Sequence, residues 1–377
     1  MLTRHFVRGF YGALFSTAVL TVTASAADQP QYEHDNISIP KAAVDEAKLE
    51  KLSVPLAVEY LEKGTIAWNG QRKCITCHTN GTYMFVRPAL TAKLGKPSEA
   101  TREFFLETLK TFATEDRAKL RQSTRPAQVI YLAAGLAEWD AHVTKKLSPE
   151  TEQALSLMFE IQLDTGTWGT LDCWPPYESD AFHEATVAAM AAATAPGWFK
   201  KIADSKDEKN LGAVEKLKRY LRTEPPPHLY SSTLLLWANS RMPGLVDDAQ
   251  KLKLIGMLMH QQQEDGGWSI RTFATPDKWG KGNREKKLKD EPEFGTPPSD
   301  GHMTGLVIIV LREAGLPASD AHLQKGIAWL KSNQRASGRW WTRSLNTDSW
   351  HFITYSGTAF PLLALQMCDA LDVVSKP

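Results

Sequence analysis

This 377-residue sequence predicts an all-α chain of six helical hairpins. Three observations carry that expectation. First, a Gln-Gly-Trp signature recurs in QALSLMFEIQLDTGTW (153–168), KLIGMLMHQQQEDGGW (253–268) and KGIAWLKSNQRASGRW (325–340). Its positions are Gln162/Gly166/Trp168, Gln262/Gly266/Trp268 and Gln334/Gly338/Trp340. Such self-similarity marks a repeat architecture. Second, apolar residues recur at helical spacing before each Gln, and the Gly then stops the helix. Third, a loop and a second, more apolar helix follow each Trp.

Taken in order, the first element is an export signal. Arg4 and Arg8 form a positive n-region, GALFSTAVLTVTA a short apolar run, and Ala24-Ser25-Ala26 a small-x-small cleavage site. Cleavage after Ala26 starts the mature chain at Ala27 and predicts a periplasmic or secreted protein. The apolar run is too short for a transmembrane anchor, and no later segment qualifies. Residues 27–52 are polar with scattered charge and read as a flexible leader ending in a short helix.

The hairpins follow between about residues 54 and 372, within a repeat domain taken as 53–377. SVPLAVEYLEKGTIAW leads to CHTNGTYMFVRPAL, FFLETLKTFAT to RPAQVIYLAAGLAEW, and GAVEKLKRYLRT to PPHLYSSTLLLWA as weaker copies. The three signature segments lead to DAFHEATVAAMAAAT (180–194), DGHMTGLVIIVLREAG (300–315) and WHFITYSGTAFPLLALQMC (350–368). Residues 270–299 insert a Lys/Arg-rich loop in hairpin five. It reads as a solvated loop, a flap over a cavity mouth, or a docking face for a redox partner protein.

Residues 325–340 fit the repeat consensus at every position: basic, small, x, x, aromatic, aliphatic, three variable, Gln, three variable, Gly, x, Trp. This resembles the repeat of squalene–hopene cyclases, oxidosqualene cyclases and protein prenyltransferase β-subunits, over nearly all of the mature chain. The resemblance implies an (α/α)6 toroid with amphipathic outer helices, apolar inner helices and a central cavity. An open solenoid is the alternative. Six hairpins match the closed ring.

Composition narrows the partners. Losing residues 1–26 takes the formal charge from +1 to −1, so there is no electrostatic case for nucleic acid. Four cysteines are too few for a disulfide scaffold. Cys173 and Cys368 read as single buried thiols, with pairing between them open.

Cys74, Cys77 and His78 form Cys-x-x-Cys-His, the pattern of covalent haem c attachment. Two thiols add to two vinyl groups, and the adjacent His binds the iron. A disulfide would leave His78 unexplained, zinc would need four ligands, and a thioredoxin-like pair belongs in a βαβ context. Haem accounts for the most residues.

Inner-helix starts carry His78, His183, His228, His302 and His351, half of the ten histidines. A lone His there would be a cap or packing residue; five at matched positions predict a polar mouth ready for iron. One of His183, His302 and His351, with His302 ahead, is expected to face the iron or its ligand as a catalytic group. Asp180, Asp300 and Asp348 are expected to fix their tautomers. Met84 lies too close in sequence to fold back as a distal ligand.

The prenyltransferase resemblance implies a rival zinc site at Asp300, His302 and His351, although His302 stands where that family has Cys. Asp-x-Asp-Asp, with which squalene cyclases protonate an alkene, is absent, and Asp300 alone remains as a general acid. Trp174, Trp341, Trp350 and Tyr355 are candidates to line a cavity for an apolar or sugar-like ligand. The expected class is an exported haem protein in electron transfer, or a haem-dependent oxidoreductase. A non-catalytic binding toroid is the alternative.

Overall fold

The structure, a computed structural model, describes residues 29–172, 174–177 and 180–371. The expected signal segment, its cleavage site after Ala26, and Cys173 lie outside the described residues. The hairpins pair α1 (Val54–Arg72) with α2 (Asn80–Val86), α3 (Glu99–Thr114) with α4 (Arg125–Trp139), and α5 (Pro149–Glu160) with α6 (Ala181–Thr194). They continue with α7 (Glu208–Thr223) and α8 (Leu229–Arg241), α9 (Asp248–His260) and α10 (Gly301–Glu313), and α11 (Ala321–Asn333) and α12 (Ile353–Met367). The described residues are all-α apart from one short β-hairpin.

Odd-numbered helices bury a single stripe; α7 buries Asn210, Val214, Leu217 and Leu221. Even-numbered helices are buried all round, as α10 is from Gly301 to Leu311. A helix apolar on every side must be surrounded by protein. Each even helix contacts the next, and α12 contacts α2.

The signature residues tie neighbouring hairpins together. Gln162 Nε2 donates to Gly166 O (3.1 Å) and to Ala213 O (3.2 Å) in α7. Gln262 Nε2 donates to Gly266 O and to His322 O in α11, both at 2.8 Å. Gln334 bonds Gly338 O and both backbone groups of Ser53, the cap of α1. The last outer helix is thereby fastened to the first. Each Trp indole donates 2.8 Å back to its own outer helix, at Met158, Leu258 and Leu330.

Gly166, Gly266 and Gly338 have φ of +92°, +90° and +85°. A Cβ on Gly338 would sit 2.4 Å from Leu56 C, in the backbone of α1. Gly338→Ala therefore combines left-handed strain with overpacking, and should cost about 2–4 kcal/mol. Urea denaturation checks this; a loss below about 0.5 kcal/mol would mean that the turn yields freely.

Residues 29–52 depart from the expected flexible leader, and no helix forms there. Strands β1 (Tyr32–His34) and β2 (Ile37–Ile39) pair antiparallel. Tyr32, Ile39 and Ala42 are buried, and Glu46 accepts from Ser337 N (2.7 Å) and Arg339. A few anchors outweigh a polar average.

The insertion is likewise anchored. Ile270, Phe273, Trp279 and Leu288 are buried, and Arg271 pairs with Glu291. Lys286 and Lys289 remain in solvent. At the other end of the inner helices, Arg241 of α8 pairs with Glu138 of α4 and bonds Thr194 of α6 (3.1 Å). Glu313 of α10 lies 3.7 Å from it. The last turns of these helices meet, as do their first turns, so they run parallel. No helix among the described residues is long and apolar enough to cross a membrane.

Candidate functional site

Helix α1 ends where Lys73 turns left-handed (φ +52°), which sends the chain into the Cys-x-x-Cys-His turn. Asn80 holds that turn: its Oδ1 accepts from Thr76 N (2.8 Å) and its Nδ2 donates to Cys74 O (3.0 Å). The Trp68 indole also donates to Cys74 O, at 3.0 Å. Cys74, Cys77 and His78 all line one cavity of about 450 Å³. Its walls are largely aromatic, with Trp68, Trp174, Tyr177, Trp350 and Phe352, while Arg284, Asn346 and Gln128 supply polar edges.

His78 is half-buried between two rings. Phe352 stacks on it at 5.0 Å and Trp68 meets it edge-on at 4.9 Å. Its Nδ1 lies 2.9 Å from Thr79 Oγ1. Desolvation, reinforced by the Arg72 charge, pushes its pKa down to about 3. The imidazole is therefore neutral at pH 7, and a proton on Nδ1 leaves the Nε2 lone pair for a metal.

These residues fit a covalently held haem. Two thiols and a neutral imidazole share one cavity, its apolar rings suit a flat macrocycle, and its polar edges suit that ring's carboxylates. The cavity is also within the ordinary range for a cofactor site.

The structure does not bring Asp300, His302 and His351 together as the rival zinc site requires. Among the described residues, no group of three His, Cys, Asp or Glu side chains could hold a metal ion. Each of the three has other partners. Asp300 caps α10, accepting from Met303 N (2.9 Å) and from Ile270 N (2.7 Å). His351 Nδ1 accepts from Ser344 N (3.0 Å). His302 Nδ1 lies 2.8 Å from Ser356 Oγ, whose proton goes to Ile353 O; the Tyr230 hydroxyl then donates to His302 Nε2 (3.2 Å). Asp300 borders a separate small hollow, and burial raises its pKa to about 6.

The expected distal histidines lie behind the cavity rather than in its wall. His183 Nε2 pairs with the Tyr131 hydroxyl at 3.0 Å. Tyr177 meets His183 and His302 edge-on, at 5.9 Å each, and stands between them and the cavity. Nor do the neighbouring carboxylates fix tautomers. Asp180 caps α6 and lies 3.5 Å from His228, while Asp348 pairs with Arg343. Helix starts need caps, and that need claimed Asp180 and Asp300 first.

Trp174 and Trp350 line the cavity as expected; Trp341 packs on His351, and Tyr355 donates to Leu61 O. Met84 is fully buried and does not border the cavity. Sequence reasoning missed Trp68, Gln128, Tyr177, Arg284 and Phe352. Phe352 was findable, since it follows His351 at an inner-helix start; Arg284 comes from the insertion, one reading of which is a flap over the cavity mouth, but nothing singled it out from the other basic residues there.

No family model matches the chain. Over 115 residues it is 33% identical to the terpene cyclase-glycosyl transferase fusion protein of Humicola fuscoatra. That stretch covers 29% of this chain and 7% of the fusion protein. The similarity points to a cyclase-like helical fold.

Proposed function

We propose that this chain is an exported c-type haem protein on a squalene-cyclase-like (α/α)6 toroid, acting as an oxidoreductase or electron-transfer protein. The observation that carries the reading is the convergence of Cys74, Cys77 and His78 on one aromatic cavity. Cys74 and Cys77 would hold the group through thioethers, and His78 Nε2 would bind its iron. The closed contacts of the inner helices and the partial likeness to a terpene cyclase fusion protein support the toroid.

A bound haem would supply one-electron exchange at its iron. The chain's own part is to orient His78 between Trp68 and Phe352 and to exclude bulk water with the remaining aromatic walls. Among the described lining residues there is no Met and no second His. A bound haem would therefore be held here by Cys74, Cys77 and His78, and carbon monoxide tests whether it takes a further ligand. Trp174, 46% exposed at the cavity, suits contact with an apolar ligand or a redox partner.

Expression with a c-type maturation system should yield a red protein whose Soret band survives denaturation. Carbon monoxide should shift that band in the reduced protein. A colourless product overturns the haem assignment. A red product indifferent to carbon monoxide favours an electron carrier instead.

A further inference from the structure

Thr79 occupies the N-cap of α2, yet its hydroxyl makes no capping bond. A Thr at that position ordinarily accepts from the N–H groups of its own first turn. Here the oxygen is shared by two other groups. His78 Nδ1, from the preceding residue, lies 2.9 Å from it, and the Tyr32 hydroxyl, 47 residues away in sequence, lies 3.1 Å from it.

Tyr32 belongs to β1 and is fully buried. Its ring meets Phe352 at 5.7 Å and Trp68 at 6.4 Å, the two rings that enclose His78. Tyr32 does not border the cavity, so it can act on a bound group only through its neighbours. The hairpin that carries it is fixed in place. Gln31 N donates to Ile39 O (2.8 Å), and the His34 ring covers Gly70, where a Cβ would sit 2.1 Å from it.

We propose that Tyr32 is a positioning residue for the metal-binding histidine, acting through Thr79. In this arrangement the Tyr32 proton turns toward the Tyr60 hydroxyl, the Thr79 hydroxyl donates to the Tyr32 oxygen, and the Thr79 lone pairs then accept the His78 Nδ1–H. That fixes the proton on Nδ1, presents Nε2 to the iron and makes the imidazole a stronger donor. Outer hydrogen bonds of this kind set ring orientation and ligand basicity. In a buried chain of hydroxyls each bond reinforces the next. Without Tyr32, Thr79 would have its proton to give to Nδ1, which favours the wrong tautomer.

The inference rests on the haem reading, and its test separates the two. Tyr32→Phe and Thr79→Val are compared with the wild-type holoprotein by resonance Raman of the reduced iron and by redox titration; Thr79→Ser is the conservative control. Both hydroxyl deletions should leave the Soret band resistant to denaturation. Both should lower the iron–histidine stretching frequency and raise the midpoint potential. At a fixed potential the reduced-to-oxidised ratio should rise about tenfold. Thr79→Ser should restore wild-type values. A colourless wild-type protein overturns the haem reading and this inference with it. A red wild-type protein whose Tyr32→Phe variant keeps both values overturns this inference alone. So does a shift in Thr79→Val that Tyr32→Phe does not share.

Discussion

Replacing both Cys74 and Cys77 with Ala will abolish covalent pigment, while either single replacement will leave one thioether and a coloured chain. Acidified organic solvent should extract all haem from the double variant and none from the wild type. Both thiols border the cavity that His78 shares, so with one lost the other would still hold a haem within reach of His78. Cys77 is buried and small, so its truncation to Ala costs packing only modestly. The loss is thus chemical, not a failure to fold. Melting curves of the three variants within a few degrees of wild type would establish that. If the double variant retains pigment through denaturation, attachment lies elsewhere and the assignment of this motif falls.

Lowering the pH will unfold the protein steeply. Burial pushes His302 down to about 3 and His183 and His351 to about 4, so all three are neutral in the folded chain at pH 7. In the unfolded chain each binds a proton below about 6.5. Their stabilisation is complete above that value and is lost as pH falls. Asp300 acts in the opposite sense: raised to about 6, it holds a proton in the fold that the unfolded chain has released above about 4. With His78 set aside as the proposed iron ligand, these four groups together take up about two protons on unfolding between pH 6 and 4, or about 3 kcal/mol per pH unit. A stability of about 5–10 kcal/mol is then exhausted within about two to three units. Circular dichroism against urea at each pH reads the slope, and His302→Gln should reduce it by about 1.4 kcal/mol per unit. A flat stability profile from pH 7 to 5 would show that these rings are hydrated.

The hairpins were legible because their residues answer to local rules. Gln162, Gly166 and Trp168 stand at fixed spacing since one turn geometry repeats: a positive-φ Gly, an indole bonded back to its own helix, and an amide reaching the next hairpin. The Cys74-x-x-Cys77-His78 pattern could be recognised for a similar reason, since it is confined to five consecutive residues.

The rest depends on distance in space. Tyr32 looked like part of a polar tail, and only its burial under Trp68 and Phe352, contributed by the first and last hairpins, makes it structural. His183 and His302 matched one another in sequence, but Tyr177 from a connecting loop closed the cavity before them. Asp300, His302 and His351 suggested a ligand set, and each instead satisfied the nearest buried donor or acceptor. Periodicity and spacing are written along the chain, so the helices, their turns and the cysteine motif can be read there. Which side chains share a cavity depends on how the hairpins pack. There the cost of burying an unpartnered polar group decided between competing contacts that the linear order left equal.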